Sequence, residues 1–529
     1  MDDIKRRMAV FFDADHYSDQ LDGGMRKGLG HYLGRGEAEG HDPSPYFAVH
    51  FYKDRYPDWA DNGATTALQD LVARSLSGQM RQPHPLIDPA WYLARYPDLA
   101  AVGAQAAMHF ALHGDQEGRS PSAGFDADFY RLCYMPLDAT APFRHYVTQG
   151  APQGFRPRPP AAMTVQDCMR RFSDLIAGLA TPLLLVAHDA QQAGVPILTL
   201  QIAHAVAARG WQPVVVLLRG GPLLGEFRAQ GPVVIMAEGW DIQGIAQAMP
   251  PDMPVIVNTA AAATLTADLA RGRPCLQMLH EMPDFLRDNG LIPAIRHAAA
   301  AGAKIVVSMP AMARELADDL GGDPSAIRTI QPGLVAARTP LASFRKRRRD
   351  RAAGGHGPVF IGAGHADHRK GFDLFLQAAQ DIVAQRGDAR FIWLGARDAW
   401  AQKLADEAMA GGLDLTLPGF VQDALAWYHA ADVYLLTSRQ DPGPATVMHA
   451  ARVGTPFVGY AADIGLRGIA DRFGCFVPPG DLTAFTRAAL QMADRPRRRD
   501  LRRIVARESN FGRYVDALLA QLSPDPAAG

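Results

Sequence analysis

The sequence predicts an α/β chain of two Rossmann-like lobes with a cleft between them, preceded by an N-terminal, mainly α-helical repeat domain. Three observations predict it. Residues 1–157 repeat a short helical unit about four times. Two later stretches alternate continuous apolar runs with longer helical patterns, as buried parallel sheets require. A Pro/Ala-rich segment and a basic run stand where these three parts join. A length of 529 residues leaves room for three or four domains.

The clearest repeat copy runs IDPAWYLARYPDL (Ile87–Leu99) and then MHFALHGDQEGRSP (Met108–Pro121). Other copies begin at FDADHY (Phe12–Tyr17), YFAVHFYKDRYPD (Tyr46–Asp58) and FDADFY (Phe125–Tyr130). The aligned tyrosines Tyr17, Tyr52, Tyr92 and Tyr130 are 35, 40 and 38 residues apart. Each unit reads as a helix opened by an Asp cap, a turn, and a second helix ending at Gly. His31, His109 and His145 fall at one repeat position beside an aromatic residue. A residue that recurs with the unit is more simply a packing or capping element than a metal ligand.

Residues 158–173 read as a linker. Residues 174–340 then carry apolar runs at Pro182–Ala187, Pro213–Leu218, Val233–Met236, Pro254–Val257 and Lys304–Val307. The basic run within 341–357 reads as a solvated connector between two sheets, which outweighs a membrane-surface or nucleic-acid reading. A second alternation fills 358–508, with strands at Val359–Gly362, Phe391–Leu394, Val433–Leu436 and Pro456–Gly459. Residues 509–529 hold a final amphipathic helix and a tail. In such a sheet the ligand lies outside the carboxyl ends of the strands.

Composition excludes several classes. The formal net charge is −1, which supplies no overall field for nucleic acid or acidic membranes. Hydrophobic residues make up 48%, far from a disordered chain. Cys133, Cys168, Cys275 and Cys475 form no CxxC pair, so neither a disulfide framework nor a cysteine zinc site is expected. With no leader-like apolar stretch, the expectation is a soluble cytoplasmic protein, with a peripheral place at the inner membrane face left open.

The most informative segment is TSRQDPGPATVMHAARVGTPFVGY (Thr437–Tyr460). A strand ends at Leu436, a Pro/Gly loop turns the chain, and a helix begins near Ala445. Free N–H groups and partial positive charge at that helix start make a seat for phosphate. Upstream, GAGHADHRKGFDLFLQAA (Gly362–Ala379) places Arg369 and Lys370 where another strand meets its helix. Cations there suit the neutralisation of a departing diphosphate.

From about Pro182 to Leu522 the chain resembles the retaining glycosyltransferases of family 4, which have the two-lobed GT-B fold. The resemblance is carried by LVAHDAQQAGVP, QMLHEMPDF (Gln277–Phe285), HRKGFDLFL (His368–Leu376), LPGFVQD (Leu417–Asp423), SRQDPGPATVMHA (Ser438–Ala450) and FVPPGD (Phe476–Asp481). It implies a nucleotide-sugar in the C-terminal lobe and an acceptor in the N-terminal lobe, with neither metal nor cofactor. Lys370 then contacts the donor diphosphate, His280 approaches the sugar and leaving group, and Asp441 is the first acid of an E-x7-E pattern near the sugar hydroxyls. Gly194 lies in the loop facing the donor across the cleft. Arg369, Gly419, Pro442, Gly443, Pro444 and His449 complete the expected donor-binding set. Glu281 reads either as a helix-capping carboxylate or as part of this site. The repeats resemble those accompanying many bacterial polysaccharide-building glycosyltransferases.

Two positions depart from the family pattern. His449 replaces the second acid, which grips both ribose hydroxyls in the family; neutral imidazole offers one acceptor and one donor. His365 stands where the family has an arginine, a charge that Arg369 can supply. The expected function is a metal-independent hexosyltransferase that retains configuration, moving a sugar from a nucleoside-diphosphate-sugar to a cell-surface polysaccharide or lipopolysaccharide-type acceptor. The alternatives are a non-catalytic carbohydrate-binding or scaffold protein of a glycan assembly complex, and another enzyme on the same fold. Expected partners are the donor, a glycan or lipid-linked glycan, and membrane or assembly components, but no nucleic acid.

Overall fold

The computed structural model describes residues 2–21, 26–136, 139–335, 340–353, 357–441, 445–461, 463–464, 472–495, 501, 503–505 and 510–523. Near the N-terminus, helices open on Asp13, Asp88 and Asp126, whose side chains accept N–H groups of the first turn. Ala48 holds the same place in the second unit and gives no side-chain cap. These four residues also close their units. The N–H groups of Asp13, Ala48, Asp88 and Asp126 donate to the carbonyls of Pro43, Pro83, Pro121 and Pro157 at 2.8, 3.0, 3.1 and 2.8 Å.

The repeated tyrosines are fully buried. The hydroxyls of Tyr17, Tyr92 and Tyr130 bond Nδ1 of His31, His109 and His145 at 2.7, 3.2 and 2.8 Å. Glycine is needed beneath each hydroxyl, because a Cβ at Gly36, Gly114 or Gly150 would lie 2.1, 2.2 or 1.9 Å from it. The units pack as a cluster rather than a rod. Tyr46 donates to Asp115 at 2.8 Å, and Asp115 accepts the N–H groups of Phe143 and Arg144 at the start of another helix. Arg144 in turn pairs with Asp13 at 2.5 Å, joining the last unit to the first.

The first lobe is a parallel sheet of β1 (Pro182–Ala187), β2 (Gln212–Leu217), β3 (Val233–Ile235), β4 (Val255–Val257), β5 (Cys275–Leu279), β6 (Lys304–Val307) and β7 (Arg328–Thr329), in the order 3-2-1-4-5-6-7. The second contains β8 (Val359–Ala363), β9 (Arg390–Leu394), β10 (Leu415–Gly419), β11 (Val433–Leu436), β13 (Phe457–Tyr460) and β15 (Gly474–Val477), in the order 10-9-8-11-13-15. A separate ribbon pairs β12 (Gln440–Asp441) with β14 (Asp463–Ile464). The central strands are buried apolar runs because helices cover both faces, whereas β7, β10 and β15 at the sheet edges are exposed or half-buried. Each sheet reverses its winding once, between β1 and β4 and between β8 and β11. In open α/β sheets the ligand crevice opens at such a point.

Both joining segments are more ordered than their composition suggests. Within 158–173, Thr164 caps a helix that runs Val165–Ile176, buries Cys168 and Phe172, and packs on the helix Ile242–Ala248. The basic run is a helix as well, Leu341–Ala353. Its Arg347 guanidinium lies 3.7 Å over the Trp427 ring, and Arg351 Nη2 donates to both carboxylate oxygens of Asp432 at 2.9 and 2.7 Å. Guanidinium groups make these contacts, which a hydrophobic pattern cannot show. The last helix begins at Phe511, capped by Asn510, and returns to the first lobe. There Arg209 pairs with Asp516 at 2.7 Å, and Lys304 reaches the Gln521 carbonyl at 2.7 Å.

The repeats lie directly against the first lobe. A Cβ on Gly220 would sit 1.6 Å from the Cys133 carbonyl oxygen. Gln191 donates to the Met135 carbonyl at 2.8 Å, and Tyr134 to Glu238 at 2.5 Å. One apolar cluster runs without a break from Phe143 and Tyr134 to Leu217 and Phe227.

Candidate active site

On the first lobe the site is built from the ends of β1, β4 and β5. The helix Gly194–Ala207 follows β1 and opens on Ala193 with no side-chain cap. Gly194 is exposed there, with open space around it. His280 follows β5, and its Nε2 lies 2.7 Å from Oδ1 of Asn258, which follows β4. Burial, reinforced by the nearby His188 ring, pushes the His280 pKa down to about 4. The imidazole is therefore neutral at pH 7.

Glu281 does not cap the helix that follows it, Pro283–Asp288, which opens on Met282 with no side-chain cap. Its Oε2 instead accepts the N–H of the preceding residue, His280, at 3.0 Å. Burial raises its pKa, while backbone donors and the Arg369 guanidinium of the opposite lobe pull it back down. The two walls of the cleft thus sense each other electrostatically.

On the second lobe, Lys370 and Asp441 come together from the ends of β8 and β11. Lys370 Nζ lies 2.5 Å from Asp441 Oδ2, and the two side chains are 15% and 6% exposed. Ser438 Oγ donates to the same carboxylate oxygen at 3.3 Å. The Lys370 backbone is fixed by Asp367, whose Oδ1 accepts its N–H at 2.6 Å. Gly371 has φ +68°, and a Cβ there would lie 2.0 Å from the Thr437 carbonyl oxygen. Only glycine lets the two loops approach so closely. Arg439 forks onto Asp373 at 2.8 and 2.7 Å, bracing the same junction.

The remaining expected residues divide. Arg369 is exposed and donates to the Gln440 carbonyl at 3.2 Å. His365 is exposed just beyond β8. His449 lies on the helix Ala445–Arg452, which Thr446 ties to Tyr434 at 2.8 Å. Its Nδ1 is buried with no hydrogen-bond partner among the described residues, and burial together with Arg452 pushes its pKa down to about 4. Gly419 ends β10, separated from β8 by β9, and so is not brought against Lys370. Pro442, Gly443 and Pro444 lie outside the described residues. Sequence reasoning missed Asn258, Asp367 and the Arg439–Asp373 fork. The available signal for Asn258 was a polar residue directly after the apolar strand Val255–Val257.

Residues 357–495 match the family described as glycosyl transferases group 1. A search of curated proteins finds no match. Among solved structures, the chain is similar to Alr3699/HepE of Anabaena in complex with UDP, with 17% identity and a TM-score of 0.55 over 65% of this chain and 99% of that one. It is also similar to the sucrose-phosphate synthase of Thermosynechococcus elongatus, with 17% identity and a TM-score of 0.51 over 64% and 98%. The likeness to WaaG, a glycosyltransferase involved in lipopolysaccharide biosynthesis, has 14% identity and a TM-score of 0.50 over 65% and 100%. The two lobes have the GT-B fold, and the second is similar over nearly its whole length to a glycosyl transferase group 1 domain.

Proposed function

We propose that the chain is a retaining, metal- and cofactor-independent glycosyltransferase of family 4. It moves a hexosyl group from a nucleoside-diphosphate-sugar to a polysaccharide or lipopolysaccharide-type acceptor. The observation that carries this reading is the Lys370–Asp441 pair at one switch point, with neutral His280 beside the other, at the end of β5 and bonded to Asn258 after β4. In the proposed reaction the bond from the anomeric carbon to the diphosphate oxygen breaks, and the acceptor oxygen bonds to that carbon on the same face. The acceptor proton passes to the departing phosphate. Lys370 and the first N–H groups of the helix Ala445–Arg452 hold the charge that develops on it. Asp441 orients sugar hydroxyls. Release of nucleoside diphosphate from a panel of nucleotide-sugars tests the reading; a chain that binds donors but turns over none is a carbohydrate-binding or scaffold protein instead.

His449 supports a donor shell rebuilt around imidazole. A ribose hydroxyl would satisfy its orphaned nitrogen, and the surroundings that keep the ring neutral would penalise a carboxylate. His449→Ala should weaken UDP binding roughly tenfold, about 1.4 kcal/mol, the scale of one neutral hydrogen bond. His449→Glu should also bind UDP and UDP-glucose more weakly than wild type in calorimetric titration. Tighter binding by the glutamate variant would refute the rebuilt shell.

The helix Leu341–Ala353 supports a peripheral membrane location. Arg345, Lys346 and Arg349 are exposed, and Leu341 is 73% exposed one turn before Arg345. Cations near an anionic bilayer contribute about 1 kcal/mol each. Among the described residues no helix is long and apolar enough to cross a membrane. The full chain should float with vesicles containing phosphatidylglycerol at low salt. Flotation should be lost at high salt and in the variant with all three cations changed to serine; salt-independent flotation would contradict the proposal.

A further inference from the structure

A directional hydrogen-bond chain runs behind His280. The Val195 carbonyl, in the first turn of the helix Gly194–Ala207, can only accept, and the Thr199 hydroxyl donates to it at 2.9 Å. The Thr199 oxygen therefore has lone pairs left to receive the Asn258 Nδ2–H at 2.8 Å. This turns Asn258 Oδ1 towards the ring, 2.7 Å from His280 Nε2. An amide oxygen accepts and never donates, so the hydrogen in that last contact belongs to the imidazole. Thr199 and Asn258 are both 0% exposed, which keeps water from competing.

From this geometry we propose that Asn258 and Thr199 are positioning residues that fix the hydrogen of His280 on Nε2, so that the ring meets its substrate with the Nδ1 lone pair. His280 then receives a hydrogen bond from a sugar hydroxyl; it does not donate one to phosphate. The same chain couples ring orientation to the helix that starts at Gly194. This assignment rests on the glycosyltransferase reading of the cleft, but the tautomer itself does not.

The groups around the ring decide how it titrates. His188 is a second imidazole, bonded through Nδ1 to Thr259 at 3.2 Å, with Asp189 at 3.6 Å from its Nε2. Glu281 follows in sequence, and Arg369 faces it from the other lobe. None of these contacts His280 Nε2, so Asn258 is the group whose replacement acts on that nitrogen directly.

Nitrogen NMR of the full chain labelled in histidine, with His280 assigned by its loss in His280→Ala, reads the tautomer without any substrate. Hydrogen on Nε2 is expected from pH 7 down to about 5. Thr199→Val should give mixed tautomers and turnover lower on the order of tenfold with donor KM little changed, within the hundredfold that small misplacement costs. Thr199→Ser should restore both. Asn258→Asp places a carboxylate beside the ring, stabilises the imidazolium, and should move the acid limb of the pH profile towards neutrality. Hydrogen on Nδ1 in the wild type would overturn the proposal, as would an Asn258→Asp protein whose ring titration is unchanged. If no sugar is turned over, the functional reading fails while the NMR still decides the tautomer.

Discussion

Lys370→Ala should lower turnover roughly a hundred- to thousandfold, the usual effect of removing one preorganised charge contact from a developing anion. The expectation rests on the place of Lys370 at the switch point of the second sheet. The substitution also leaves Asp441 buried without its cation, with Ser438 Oγ at 3.3 Å as its remaining side-chain partner among the described residues. Breaking one side of a buried pair is destabilising, so the melting temperature should fall as well. The double variant Lys370→Ala/Asp441→Asn removes the stranded charge. It should recover most of the lost stability and none of the activity. Circular dichroism melts beside initial rates separate the two effects, and near-wild-type turnover in Lys370→Ala would remove the lysine from the mechanism.

Removing residues 1–157 should give a poorly soluble or strongly destabilised protein. The sequence points the other way, because the repeats end before a Pro/Ala-rich segment and supply no strand to either sheet. The packing decides it. Cys133 lies against Gly220, Met135 accepts from Gln191, and Tyr134 donates to Glu238, so removal uncovers the apolar wall around Leu217, Leu223 and Phe227. An exposed patch of this kind drives association. Size-exclusion chromatography and thermal melting of the 158–529 chain against the full chain test this. A monodisperse truncated protein with an unchanged melting temperature would show the repeats to be separable.

What could be read from the sequence depended on whether the signal was local. Buried parallel strands such as Pro182–Ala187 and Val433–Leu436 announce themselves as apolar runs bounded by turns, and nine observed strands fall where those runs do, whereas β5, β7, β10 and β15 were not read as strands. Lys370 and Asp441 were legible because each follows such a strand. Their meeting at 2.5 Å was not, since 71 residues separate them and only the sheet order brings β8 beside β11. The helix Leu341–Ala353 was hidden because the guanidinium groups of Arg347 and Arg351 tie it to Trp427 and Asp432, contacts that leave no apolar pattern in the sequence. Asn258 was hidden because an asparagine after a strand is usually a turn residue. Its importance comes from two partners, Thr199 and His280, that lie 59 residues before it and 22 after it. The recurring histidines of the repeats were legible as packing elements, and each is bonded to its tyrosine.

The most direct test is the stereochemistry of transfer. The purified full chain would be incubated with UDP-glucose and other nucleotide-sugars, with a glycan acceptor fraction, and followed by proton NMR at the anomeric position. We expect nucleoside diphosphate to be released together with a new glycoside in the same anomeric configuration as the donor, and Lys370→Ala to lower both rates roughly a hundredfold or more. A product of inverted configuration, or near-wild-type transfer in Lys370→Ala, would contradict the account.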